Sequence, residues 1–169
     1  MNQGEFNSQE QEIANVNFLI EELAKEANWN WGVDTPAMIL QGLTAYYEAP
    51  QVKKHIDDAL IKLSQKQGQD GSFGSSNSDS MVIIALSQLG INPHTDERFI
   101  KNGNSLLDGL MSYKCLTDIG FGFKNGATYN EMSTYQGLLG LIAAVNVMET
   151  GKAYNIYDFS KEVKVPAYA

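Results

Sequence analysis

The stretch QGQDGSFG, residues 67–74, lies between two segments of helical period. Three readings compete for it: an ordinary glycine-rich loop, a phosphate cradle, or the recurring corner of a repeat. On its N-terminal side Pro50 opens a segment in which Val52, Ile56, Ala59, Leu60 and Leu63 share one helical face. On its C-terminal side residues 80–89, SMVIIALSQL, are almost wholly apolar. Composition alone would allow a buried strand there. The length and the helical neighbours favour a helix, ended by Gly90 with Pro93 beyond it.

Further out the same pattern returns. Trp31-Gly32, Phe73-Gly74 and Phe121-Gly122 each follow one helical segment and precede another. The preceding segments, NFLIEELAKEA, IDDALIKLSQKQ and SLLDGLMSYK, are amphipathic; the following ones, MILQGLTAYY, VIIALSQLG and TYQGLLGLIAAV, are more apolar. Setting Gln41-Gly42-Leu43 on Ile84-Ala85-Leu86 and Gln136-Gly137-Leu138 aligns them, and places Asp79 opposite Glu131. A period of this size is the signature of stacked supersecondary units. The chain therefore reads as three copies of helix, glycine-aromatic corner, helix. The apolar second helices form the buried row and the mixed first helices the outer layer. Each aromatic ring is expected to plug the gap between successive pairs, and Asp70, matched by Asp118, to accept hydrogen bonds from free N–H groups at the start of the next helix.

The predicted helices run over about residues 9–27, 35–47, from Pro50 through at least Leu63, 80–89, 104–113 and 131–149, with a short turn at 96–100. Ser8 is the expected cap of the first, and Thr35-Pro36 of the second. No segment alternates as a half-buried strand would, so the fold class is all-α. GFGFKNG, residues 120–126, has neither the preceding strand nor the glycine spacing of a dinucleotide fingerprint.

At 169 residues the chain can build one domain with a real core, and 43% hydrophobic with 19% charged residues is a globular composition. The formal net charge of −8 argues against nucleic acid or an anionic membrane surface as the main partner. No apolar run reaches the roughly 18 residues of a membrane span. The opening MNQGEFNSQEQE has neither the cationic start nor the apolar core of a signal peptide, which an excised domain would also lack. A single Cys115 excludes an internal disulfide and any multi-cysteine metal site.

Gln67, Gly71 and Phe73, in the spacing Gln-x-x-x-Gly-x-Phe, resemble the QW motif of the squalene cyclase and prenyltransferase repeat, with Phe in place of Trp. LSQKQGQDGSFG, NSDSMVIIALSQLGINP and DERFIKNGNSLLDGLMSY together are similar to prenyltransferase-like α/α-toroid domains of bacterial surface proteins, relatives of the helical domain of cobalamin-binding transport proteins. The resemblance spans about residues 19–147 and is most specific in the middle repeat; the glutamine position falls on Lys25 and Cys115 in the other two. It implies a ring of helix pairs around a cavity. With three pairs, about half the family's number, the chain would form a partial ring or compact six-helix array, pair with another copy through its open edges, or belong to a longer protein. Residues 9–150 are then the repeat domain, 1–8 a disordered or expression-derived start, and 151–169 a tail or linker.

The resemblance also implies catalytic elements that can be sought. The Asp-x-Asp-Asp acid of the cyclases is missing; Asp57-Asp58 lacks its first member. Cys115 has neither the aspartate nor the downstream histidine of the prenyltransferase zinc set, and reads as a half-buried helix cysteine. The thioester GCGEQ is absent. A lyase or glycosidase would need a paired acid and base, or a Tyr/His dyad, at the cavity mouth. Asp34, Asp79, Tyr129 and Glu131 are the residues so placed, and recurrence of Asp79 and Glu131 favours helix capping. His55 and His94 read as separate surface residues. The expected function is a non-catalytic module of a cell-surface or secreted bacterial protein, with an enzyme as the alternative. Its ligand, a small molecule (cobalamin-like by resemblance only), a glycan or a protein, would meet Trp31, Asp34, Phe73, Asp79, Phe123, Tyr129, Glu131 and Tyr135.

Overall fold

The fold was read from a computed structural model, which describes residues 8–116 and 119–158. The expected disordered start, apart from Ser8, Asp118 of the third corner and residues 159–169 lie outside them. Six α-helices make up most of the described chain: α1 (Gln9–Ala24), α2 (Asp34–Leu43), α3 (Pro50–Lys66), α4 (Ser76–Gln88), α5 (Leu106–Met111) and α6 (Glu131–Thr150). Three 3₁₀ turns, Glu26–Trp29, Thr44–Tyr46 and Glu97–Phe99, join or extend them. The chain is mostly helical, as its periodicity predicts.

A small pairing of strands was not expected. β1 (Ile100–Lys101) and β2 (Asn104–Ser105) run antiparallel, with Ile100 opposite Ser105. They use part of what the periodicity assigns to the fifth helix, which therefore starts at Leu106, capped reciprocally by Ser105 and Asp108. The pairing lies beside the corner of residues 67–74, where Asn104 donates its side-chain amide to the Gln69 carbonyl.

α4 is the centre of the molecule. It packs most heavily on α6, then on α2 and α5, while α1 packs on α2 and α3. Gln41 Nε2 donates to the Met81 carbonyl and Thr44 Oγ1 to Gln88 Oε1. Asn77 bonds Gln136, and Gly140 lies against Ser80. Both sets of contacts advance together along the chain, so α2, α4 and α6 run parallel as one row. Every residue from Asp79 through Ser87 is buried. This explains why α4 shows no polar face in sequence: a helix covered all round needs none.

Helix starts differ from those expected by up to a turn. Ser75 caps α4 through the Ser78 N–H, so α4 begins one turn before the apolar run. Asn130 caps α6 through the Ser133 N–H. α2 begins at Asp34 behind Val33, without a side-chain cap, so Thr35 is not its cap. After α6, left-handed Gly151 reverses the chain; Tyr154 N–H then bonds the Ser87 carbonyl, and Tyr154 and Ile156 pack against the core.

Candidate functional site

The corner of residues 67–74 is held from within. Asp70 Oδ1 accepts the Ser72 N–H at 3.1 Å, closing a local turn. Gln67 donates to the carbonyls of Gly71 at 2.7 Å and Phe99 at 2.9 Å. Gly71, at φ +84°, sits so close to Ser105 that a side chain there would meet its carbonyl oxygen at 2.3 Å.

Beneath this corner a polar chain is sealed from solvent. Tyr113 Oη and Ser72 Oγ are 2.6 Å apart, and Ser72 donates to Asp79 Oδ1 at 3.1 Å. With the serine proton so directed, Tyr113 is the donor to Ser72. Asp79 Oδ1 also accepts the Phe73 N–H at 2.6 Å, and Ser72 accepts the Gly74 N–H at 2.8 Å. Asp79 is wholly buried and its Oδ2 has no partner. Burial, above all, pushes its carboxyl up to about 7, against the lowering effect of the Phe73 and Ser72 bonds; Asp70 and Asp34 add to the rise. Burial likewise pushes the Tyr113 phenol above its ordinary range. A carboxyl near 7 could exchange protons at neutral pH, but this one faces protein on every side and has one oxygen committed to the corner.

Asp79 is thus not a cap of α4, and its counterpart is not Glu131. Counting from the caps Ser75 and Asn130, the residue matching Asp79 is Thr134. Its Oγ1 accepts the Phe121 N–H at 3.0 Å, as Asp79 accepts that of Phe73. The alignment of the second helices made from sequence is therefore one turn out. Seven extra residues between Phe121 and the α6 cap hid the true register. Glu131 is the exposed first residue of α6. In the first corner Ala37 stands at this position and makes no such bond.

The ring-plug expectation holds for Phe121, which is buried against Gly137, and partly for half-buried Phe73. It fails for Trp31, which is 98% exposed. Trp29, 2% exposed, fills the first corner instead, donating its indole N–H to the Leu23 carbonyl at 2.8 Å. Lys62 lies over its ring at 4.5 Å. Cys115 is buried, in the loop after α5 rather than on a helix, with its N–H on the Gly120 carbonyl.

The remaining sequence-chosen residues lie at one end of the parallel row. Trp31 and exposed Asp34 stand at the start of α2. Phe123 lies at the start of α4: its carbonyl accepts the Ser76 N–H, and Lys124 stands 5.1 Å from its ring and bonds the Gly74 carbonyl. Tyr129 and Glu131 open α6, and Tyr135 is one turn further in. Phe123, Tyr129 and Tyr135 are each about half exposed or more. Four exposed rings and two acids thus lie towards this end of the row, with Tyr135 on the side of α6 away from α4; Phe73 and Asp79 are more buried. Sequence reasoning passed over Met38 and Met132, exposed at the same end of α2 and α6. Met38 sits in an apolar run where nothing distinguishes it from core, while Met132 stands alone among polar residues.

Two shallow grooves lie elsewhere, in the outer layer. One of about 220 Å³ is lined by Ile13, Val16, Tyr46 and Val52, and one of about 310 Å³ by Trp29, His55, Asp58 and Lys62. Among the described residues no group of His, Cys, Asp and Glu could hold a metal ion, and no helix is long and apolar enough to cross a membrane. Comparison with known protein families, curated proteins and solved structures finds no match.

Proposed function

We propose that the chain is a non-catalytic binding module of a cell-surface or secreted bacterial protein, in which the rim of exposed rings receives the ligand. The carrying observation is a division of labour. The titratable cluster best suited to chemistry, Asp79 with Ser72 and Tyr113, is buried and bonded to the corner it supports. The aromatic surface, Trp31, Phe123, Tyr129 and Tyr135, is open to solvent at one end of the helix row. Flat rings beside a few polar groups suit a sugar face, a planar small molecule or a peptide. The α/α-toroid architecture, the cell-surface location and a cobalamin-like ligand rest on the sequence resemblance alone. Self-association through open edges rests on that resemblance too, and the acids of α6 oppose it at that edge.

The rival, a cyclase-related or carbohydrate-active enzyme, draws support from the raised Asp79 carboxyl. It requires substrate to reach a group that no solvent reaches. Equilibrium dialysis of the full chain against cobalamin, a set of bacterial-wall oligosaccharides and short peptides separates the two. The module reading expects one class to bind without turnover, about tenfold more weakly after Trp31→Ala or Phe123→Ala. No binding in any class overturns it. So does turnover that Asp79→Asn abolishes.

A further inference from the structure

The far flank of α6 carries an apolar stripe that stays about half open to solvent. Leu138, Ile142, Val145 and Met148 are each between 41% and 49% exposed. On a helix advancing about 100° per residue, the first three share a face about 130° from the one that Gly137, Gly140 and Ala144 turn towards α4. The latter three are buried. The open face therefore lies on the side away from α4, where a further helix would continue the row.

Charge selects among the possible occupants. Within its twenty residues α6 has no Lys, Arg or His, and its two acids, Glu131 and Glu149, fall on this same face at either end of the stripe. Neither forms an ion pair among the described residues. Glu149 lies in the last turn, where a negative charge opposes the helix dipole. Lys152, just beyond Gly151, is also in no ion pair there. A second copy presenting its own α6 would bring acid to acid. One presenting α1 would add Glu10, Glu12, Glu21 and Glu22 to the contact, and the chain as a whole is at −8. Cations on the partner would relieve what another copy would aggravate.

We propose that this flank docks an amphipathic helix of another protein, with apolar anchors at i, i+4 and i+7 and Lys or Arg at both ends of the stripe. It shares with the rim reading the premise that the chain binds partners and, at the first turns of α6, Glu131 and Tyr135; the stripe from Leu138 to Met148 lies outside the rim.

The test is fluorescence anisotropy with the full chain and a labelled helical peptide of about 18 residues, carrying leucines at i, i+4, i+7 and i+11 and lysines around them. A twin with glutamate for every lysine is the control. The lysine peptide binds at least tenfold more tightly than its twin, and the gap narrows as salt rises. Ile142→Asp and Leu138→Asp each weaken it tenfold or more with unchanged helicity and melting, and Glu131→Gln with Glu149→Gln reduces the preference severalfold. Trp31→Ala leaves all of this unaltered, so rim and flank can fail separately. Equal binding of both peptides, no binding, or indifference to both aspartate variants overturns the proposal. A dimer that Ile142→Asp dissolves assigns the face to a second copy instead. Nuclear Overhauser contacts from residues 159–169 to Leu138 assign it to the chain's own end.

Discussion

Phe73 donates its backbone N–H to Asp79 Oδ1 at 2.6 Å, joining the middle corner to the helix that follows it. The bond fixes where the chain turns into α4, yet it leaves a carboxyl in a place without water. Burial of a charge with one oxygen unpartnered is costly, so the group resists ionising. The ordinary value is 3.8 and folding raises it to about 7. Between these limits the folded state keeps a proton that the unfolded state has released, so stability falls as pH rises and levels off above 7. Asp79→Asn cannot titrate. Its unfolding free energy, measured in urea from about pH 4 to about pH 8, should gain about 2–4 kcal/mol on the wild type across that window. Parallel curves for the two proteins would contradict this origin of the shift.

Trp29 and Trp31 stand two residues apart and should behave oppositely. Trp29 is packed, hydrogen-bonded and covered by Lys62. Trp29→Ala should cost about 3–5 kcal/mol. Trp31 touches little, and Trp31→Ala should stay within about 0.5 kcal/mol. Each protein also retains a single indole. The Trp31→Ala emission should be blue-shifted and resist acrylamide, and the Trp31 emission of a Trp29→Phe protein should be red-shifted and easily quenched.

α5 crosses the corner at Gly109, where an added methyl would lie 2.7 Å from the Gly71 carbonyl carbon and oxygen and 2.9 Å from the Ser72 Cα. These are backbone atoms and cannot swing away. Gly109→Ala should lower stability by about 2 kcal/mol or more, despite the gain of up to about 1 kcal/mol that alanine brings to a helix. Gly103, also beside the pairing, has φ +84° but open space around it. Gly103→Ala should cost about 1 kcal/mol, from backbone strain alone. Thermal melts of both variants check the order; a harmless Gly109→Ala would mean that α5 can move off the corner.

Tyr113→Phe removes the donor at the head of the buried chain while Ser72 keeps its bonds to Asp79 and Gly74. The loss should be about 0.5–1.5 kcal/mol, and combined with Asp79→Asn the two changes should be non-additive. Simple additivity in a double-mutant cycle would deny that the three groups act as one chain.

Much of the helical layout was legible because amphipathic periods fix which face is buried. The buried run of α4 was also readable, since an apolar segment of that length between helices rarely has another use. What escaped was local. Ser76, Asn77 and Ser78 belong to α4 but look like loop, because their hydroxyl and amide groups are satisfied by Gly122, Gln136 and the Ser75 cap rather than by water. The pairing at residues 100–105 has too few residues to show any period. The register between Asp79 and Thr134 was lost because one accepts with a carboxylate and the other with a hydroxyl, and an insertion separates them. Trp31 was chosen over Trp29 because the neighbouring glycine suggested the corner; only burial distinguishes the two. For the rim, sequence order sufficed to gather Trp31, Tyr129 and Tyr135 at helix starts. It could not place Asp79 beneath the surface.

The most direct test of the binding account is an amide and indole chemical-shift map of the full chain, recorded while the ligand class found by dialysis is added. The account predicts that shifts concentrate on the Trp31 indole and the amides of Phe123, Tyr129 and Tyr135, with the ligand recovered unchanged. Shifts centred on Ser72, Phe73, Asp79 and Tyr113, accompanied by conversion of the ligand, would contradict it.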